Sequence, residues 1–324
     1  MFKQFIKDKN KKKVLFTPGP ASLSEENIKN LAPAFGRGDS EYQSSEKRVL
    51  NLLKKMSGKK QIVRMQGSGS FAIEVMIANF LYGKVLIINT GYYSDRLHTI
   101  SKNCKNYFKY IKKIDTVNWK KLNKVNGNYD WLLCCYTETS RGLKLPIKSL
   151  YNLSKKINSK LMIDATASFG LEENHHLANV FSYSSCKGLF GLTGASFISY
   201  DKNPSNEIKS FNLSLLSHKE KKMTGPYHSI YSLLQILPKH NDFKQAVKIN
   251  KKKFIMIAKK YLIYEKNYQP LICTAINKKI YSKKKGVVLY KAREKINGSI
   301  INHLGEVHLK RKAKGKILDF LKIK

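Results

Sequence analysis

Acidic side chains are scarce in this 324-residue chain: 22 Asp and Glu stand against 61 Lys and Arg, a formal net charge of +39 at pH 7. Such an excess raises nucleic acid or an anionic membrane as a partner. The basic residues themselves argue otherwise, being lysines scattered along the whole chain with only seven arginines among them. No aromatic-rich basic strand, ligand-spaced cysteine set or compact basic recognition helix accompanies them, so nucleic acid is not the expected partner. Long apolar runs are also missing. None approaches the roughly 20 residues of a membrane span, and Met1-Phe2-Lys3-Gln4-Phe5-Ile6-Lys7 has neither an apolar signal core nor a small-residue cleavage site. A cytoplasmic protein with no membrane partner is expected. The five cysteines, Cys104, Cys134, Cys135, Cys186 and Cys273, are odd in number and show no C-x-x-C pair, which predicts reduced, buried thiols. His175-His176 and His303/His308 lack a third ligand at usable spacing, so no metal is expected.

What is present alternates. Apolar runs at 85–89, 131–135, 160–164, 180–185 and 195–200 are separated by stretches of helical periodicity, the pattern of an α/β fold with a mixed, mostly parallel sheet flanked by helices. Ahead of them, Ile28 and Leu31, then Val49, Leu50, Leu52, Leu53 and Met56, predict two helical segments around the loop at 35–40. Residues 1–13 read as a basic arm, 14–240 as a large domain and 241–324 as a smaller C-terminal α+β domain. In the last, a lysine-rich helix reaches Tyr264, short strands follow at 271–275, 286–290 and 298–301, and a final helix lies near 313–322.

The strand ends carry the chemistry. Functional groups of such sheets gather at the carboxyl ends of the strands. Gln66-Gly67-Ser68-Gly69-Ser70 opens a helix, so its N–H groups and hydroxyls converge on an anion, as a phosphate cradle would. Thr90-Gly91-Tyr92-Tyr93-Ser94-Asp95-Arg96 follows a strand and offers Tyr93 as a ring to lie over a cofactor; the plainer reading is an aromatic core edge. Thr137-Glu138-Thr139-Ser140-Arg141-Gly142 puts hydroxyls, a carboxylate and a guanidinium in one turn. Asp164 ends the run Leu161-Met162-Ile163, and Lys187 sits on a turn of small residues, Ser184-Ser185-Cys186-Lys187-Gly188, after the next strand. A lysine so held suits Schiff-base chemistry, and a carboxylate at a neighbouring strand end can keep a pyridine nitrogen protonated.

Taken in order, F-T-P-G-P, Q-G-S-G-S, T-G-Y-Y-S-D-R, T-E-T-S-R-G, D-A-T-A-S-F-G, S-S-C-K-G-L-F-G and T-G-P-Y-H resemble the class V aminotransferases over about residues 14–240. The resemblance implies a fold-type I pyridoxal-phosphate (PLP) transferase, with PLP as cofactor. It implies Lys187 as the Schiff-base lysine, Asp164 as the partner of the ring nitrogen and Tyr93 as the stacking ring. Ser68, Gly69 and Ser70 would hold the phosphate, Thr139 the ring oxygen, and Thr224 the phosphate of a neighbouring subunit, hence a homodimer with shared sites. Cys186 stands where relatives often carry an amide and could contact the cofactor only weakly.

One departure bears on substrate. The small-domain arginine that clamps a substrate carboxylate in such enzymes corresponds here to Ile300. Arg37, Arg141 and Arg293 are the candidate replacements, with His228 a further lining residue, although arginines also cap helices and form surface pairs. The expected activity is transfer of an amino group from a small, anionic amine, a phosphonate amine or an amino acid, to a 2-oxo acid. Two alternatives stay open: a PLP-dependent lyase, decarboxylase or desulfurase of the same fold, and a non-catalytic polyanion-binding protein built on it. A desulfurase would need a thiolate on a mobile loop, whereas Leu271-Ile272-Cys273-Thr274 reads as a strand.

Overall fold

The sheet at the centre of the computed structural model, which describes residues 13–21, 23–28, 31, 36, 38–304 and 321–324, has seven strands. They are β1 (Gln61–Gln66), β2 (Gly83–Asn89), β3 (Ile111–Asn118), β4 (Trp131–Cys135), β5 (Lys160–Asp164), β6 (Val180–Ser184) and β7 (Ala195–Tyr200), in the spatial order β1-β7-β6-β5-β4-β2-β3. From β3 to β6 neighbouring strands are parallel; β7 is antiparallel to both β6 and β1. The mixed, mostly parallel sheet expected from the alternating runs is therefore present.

Parallel strands need cover on both faces. Helices α1 (Ser40–Ser57), α2 (Gly69–Phe80), α3 (Tyr92–Phe108), α4 (Ile147–Lys156) and α5 (Tyr227–Ile236) provide it. Alternate side chains of one strand enter opposite cores. Leu86 and Ile88 of β2 pack with Val49, Leu53, Leu150 and Leu233, while Val85 and Ile87 pack with Ile73, Met76 and Leu97. α1 starts where Asp39 accepts from the Tyr42 N–H at 2.9 Å and stops at Gly58, whose φ of 66° ends the helix in the left-handed region.

Two strands were not expected from the apolar runs. β1 reads Gln-Ile-Val-Arg-Met-Gln, and its buried Arg64 is paid for by an ion pair to the buried Glu46 at 3.5 Å. β3 lies at the sheet edge, and its lysines face solvent.

α6 (His240–Ala258) leads to the C-terminal part, where β8 (Cys273–Ile276) pairs antiparallel with β9 (Ser299–Asn302). Val14–Phe16 pairs in parallel with Val287–Leu289, so the first described strand joins this part of the molecule. Of the helix expected near 313–322, most lies outside the described residues; its end is a strand instead, Lys322–Ile323 pairing with Ile280–Tyr281. No helix among the described residues is long and apolar enough to cross a membrane.

Candidate active site

Strand polarity brings the carboxyl ends of β1, β2, β4, β5 and β6 to one edge of the sheet. Gln66, Asn89, Cys135, Asp164 and Ser184 are the last residues of these strands, so the loops that follow them meet there.

Asp164 is 3% exposed, and its Oδ1 accepts from the Thr166 N–H at 2.9 Å. Lys187 lies on the turn after β6. Burial holds its amine below the ordinary lysine range; Cys186, Asp164 and Cys135 act against that shift and Arg96 adds to it. Burial thereby shifts the balance toward the neutral amine, the form that attacks a carbonyl. The Phe16-Thr17-Pro18-Gly19-Pro20 segment covers the lysine. Gly19 has φ +123°, a Cβ there would come within 3.2 Å of Lys187 Cγ, and Ala21 N–H donates to the Cys186 carbonyl at 2.7 Å. Cys186 is half-buried, its Sγ 3.8 Å from Ser184 Oγ.

On the same edge α2 begins with Ser68 as its cap, the hydroxyl accepting from Phe71 N–H at 3.3 Å. Gly69 is required here. A Cβ at this position would meet Thr166 Cγ2 at 2.8 Å, so the phosphate-type loop approaches the Asp164 loop only because the side chain is absent. Thr166 Oγ1 is buried without a hydrogen-bond partner among the described residues. An orphaned hydroxyl beside a helix N-terminus, the Asp164 carboxylate on the same loop, and an amine with depressed basicity together fit a ring that carries a phosphate and a basic nitrogen.

Tyr93, half-buried, stands in the first turn of α3. Its backbone N–H and that of Ser94 donate to Glu138 Oε2, both at 3.1 Å, so a carboxylate from the loop after β4 caps the helix that carries the ring. Glu138 is fully buried, and burial raises its pKa against the hydrogen bonds it accepts. Ser140 Oγ lies 2.5 Å from an oxygen of Glu138 and 2.5 Å from one of Glu294, which also accepts from Tyr92 N–H. Thr139 is buried in the same loop, and Gly142, at φ +66°, lets the loop close onto Ala275 of β8.

The arginines differ. Arg141 donates through Nε and Nη2 to Glu294 Oε2, at 3.0 and 2.7 Å. Arg293 has its guanidinium 5.5 Å from the Tyr92 ring centroid, and the nearby Tyr93 and Tyr92 phenols hold its pKa up. Arg37 lies outside the described residues. Ile300 is buried in the apolar cluster with Cys273, Leu171, Phe190 and Leu304, so no cation occupies that position. Thr224 and His228 are exposed at the entry to α5, where Gly225 passes so close to Tyr42 and Arg64 that a Cβ would meet them at 2.8 and 3.0 Å. Cys273 is buried in β8, and burial pushes its thiol up to about 12, which leaves it protonated near neutral pH.

Sequence reasoning passed over Arg96, Glu138, Thr166 and Glu294 as individual residues. Arg96 stood in a motif already singled out, three positions beyond Tyr93 and so on the same helix face. Among the described residues no group of His, Cys, Asp and Glu could hold a metal ion.

No protein-family profile matches the chain. It is 28% identical over 218 residues to the bifunctional phosphonoacetaldehyde hydrolase/aminoethylphosphonate transaminase of Clostridioides difficile; the match takes in 62% of this chain, which spans about a third (34%) of that relative's length. To the 2-aminoethylphosphonate–pyruvate transaminase of Bacillus mycoides it is 24% identical over 349 residues, covering 91% of this chain and 93% of that one. Among solved structures, the alanine–glyoxylate aminotransferase of Nostoc superposes with a TM-score of 0.78 at 16% identity, over 95% of this chain and 94% of the other. The chain has the fold of these aminotransferases, a fold-type I mixed α/β architecture.

Proposed function

We propose that this protein is a PLP-dependent aminotransferase of class V type, moving an amino group from a small anionic amine to a 2-oxo acid. The observation that carries the reading is one sheet edge on which the Lys187 amine, depressed by burial, the Asp164 carboxylate and the α2 N-terminus converge. Likeness to aminoethylphosphonate transaminases supports the class of donor.

In this reading 14–240 is the cofactor-holding domain, 241–324 the smaller one, and the enzyme works as a cytoplasmic homodimer. Ser68, Gly69 and Ser70 hold the phosphate, Tyr93 covers the ring, Thr139 meets the ring oxygen and Cys186 borders it. Thr224, exposed on its loop, serves the phosphate of the partner subunit's site. The cofactor supplies an aldehyde carbon that captures amines and a ring that withdraws electrons from the substrate carbon. Asp164 holds a proton on the ring nitrogen and so keeps that withdrawal strong. Lys187 Nζ, its basicity lowered by burial, takes the proton from the donor's amine-bearing carbon and returns it across the site. The Gly19 segment over Lys187 excludes water from that transfer. Arg293, at the site mouth with its guanidinium against Tyr92, is the substrate-anion partner; Arg141 is already committed to Glu294. His228 is placed nearby in sequence with the Thr224 loop and serves as a lining residue.

A second reading, a lyase or decarboxylase using the same cofactor, is favoured by the buried Ile300 at the usual clamp position. The two readings separate on one experiment. Protein loaded with PLP is followed by visible absorbance while 2-aminoethylphosphonate and then pyruvate are added. Loss of the lysine-bound cofactor band with the amine and its return with the keto acid supports amino transfer; turnover of an amine without any keto acid supports the lyase; no band at all, in wild type as in Lys187→Ala, removes both.

A further inference from the structure

The geometry points to Arg96 as a positioning residue that ties the phosphate loop, the stacking ring and the ring-nitrogen carboxylate together and sets the charge at which Lys187 and Asp164 work. Its guanidinium lies 4.8 Å from the centroid of the Tyr93 ring, donates through Nη1 to Ser70 Oγ at 2.8 Å, and brings Nη2 to 3.5 Å from Asp164 Oδ2. One side chain thus touches α2, α3 and β5 at the three points where they meet the candidate cofactor. The inference rests on the reading of this site as a PLP site.

The arrangement suits arginine in particular. A planar fork can reach a hydroxyl and a carboxylate at once while its face lies on an aromatic ring; an ammonium is a point charge and cannot span all three. The charge is also fixed, since a guanidinium does not lose its proton in proteins. Arg96 Nε is buried and without a hydrogen-bond partner among the described residues, so the group is held there by its two terminal nitrogens and the ring rather than by a cage of its own.

An electrostatic consequence follows. The permanent cation lies 3.5 Å from Asp164 Oδ2, on the side chain that faces the ring nitrogen in this reading. The same cation opposes a second positive charge on Lys187, where Asp164, Cys186, Cys135 and Cys273 are the other titratable groups within electrostatic reach. Removing the guanidinium therefore makes the nitrogen bonded to the cofactor easier to protonate.

The test is a pH titration of the lysine-bound cofactor's visible band in the PLP-loaded protein, for wild type, Arg96→Gln and Arg96→Lys. Arg96→Gln is expected to raise the titration midpoint by roughly one unit, the scale of one charge removed from a buried cluster. Arg96→Lys, which keeps the charge but not the fork, should return the midpoint most of the way to wild type while still binding PLP more weakly. A midpoint in Arg96→Gln equal to wild type overturns the inference and leaves the cofactor reading standing; a wild type that never develops the band overturns the cofactor reading and the inference with it. Should Arg96→Gln not fold, Ser70→Ala frees Nη1 from its anchor: a smaller upward shift supports the assignment, and no shift overturns it.

Discussion

Arg293 and Arg141 carry the same charge in two different states of commitment. Arg141 is tied by two nitrogens to Glu294, which Ser140 and the Tyr92 amide also hold, so its removal breaks a contact between the loop after β4 and a residue 153 positions further along the chain. Arg293 leans on a tyrosine face with no carboxylate against it among its described contacts. Arg293→Ala should therefore lower kcat/KM for an anionic donor by about 10- to 150-fold, the kinetic equivalent of about 1.5–3 kcal/mol for a charge-assisted bond, with the folding midpoint unchanged. Arg141→Ala should do the reverse, lowering the thermal midpoint and changing kcat/KM less than about threefold; steady-state kinetics beside thermal denaturation decides between them. The positions of Lys187 and Asp164 at the sheet edge were readable from sequence because each is defined by its own neighbours, a strand followed by a turn. Arg96 and Glu138 were not, because what defines them is a partner 26 to 68 residues away: Ser70 and Asp164 for the first, the amides of Tyr93 and Ser94 for the second.

At the scale of elements, function depends on how closely helix ends approach strand ends. Gly69→Ala drives a Cβ into Thr166 at 2.8 Å, and overpacking of this kind costs about 1–3 kcal/mol. A fluorescence titration with PLP should find binding weakened about tenfold or more, whereas Gly127→Ala, strained by its φ of +93° but in open space at an exposed turn, should lower stability and leave the same titration unchanged. The start of α3 makes a parallel case. Glu138→Gln keeps the shape of the cap but removes its negative charge from the helix N-terminus, a loss of about 0.5–2 kcal/mol visible in urea denaturation. The strands that escaped the sequence were those whose polarity has a tertiary explanation. β1 carries Arg64 because Glu46 of α1 neutralises it, and β3 carries lysines because they are solvent-exposed at the sheet edge. Apolar runs identify strands buried among helices; they cannot identify one whose charge is answered from another element.

The whole molecule stores several neutral histidines in its interior. Burial lowers the pKa of His175 to about 3 and that of His303 well below the ordinary value; His175 Nε2 shares a hydrogen bond with Ser168 Oγ, and His303 Nε2 with Thr274 Oγ1. A base depressed in the folded state contributes its full stability above the unfolded pKa near 6.5, and that stability is lost as pH falls toward the folded pKa. Each such histidine should cost about 1.4 kcal/mol per pH unit below about 6.5, so the urea midpoint at pH 5 should lie clearly under that at pH 7. Equal midpoints would contradict the neutral assignment. A different kind of consequence follows from the strand Val14–Phe16, which pairs with Val287–Leu289 and leads directly into the Gly19 segment over Lys187. During synthesis the ribosome releases the two halves of that pair more than 260 residues apart. The glycines, the aspartate and the lysine of the site are all synthesised before residue 287, so a chain ended short of that residue would lack the pairing that anchors the cover over Lys187, and a truncation there should expose the lysine to solvent reagents that the full chain excludes.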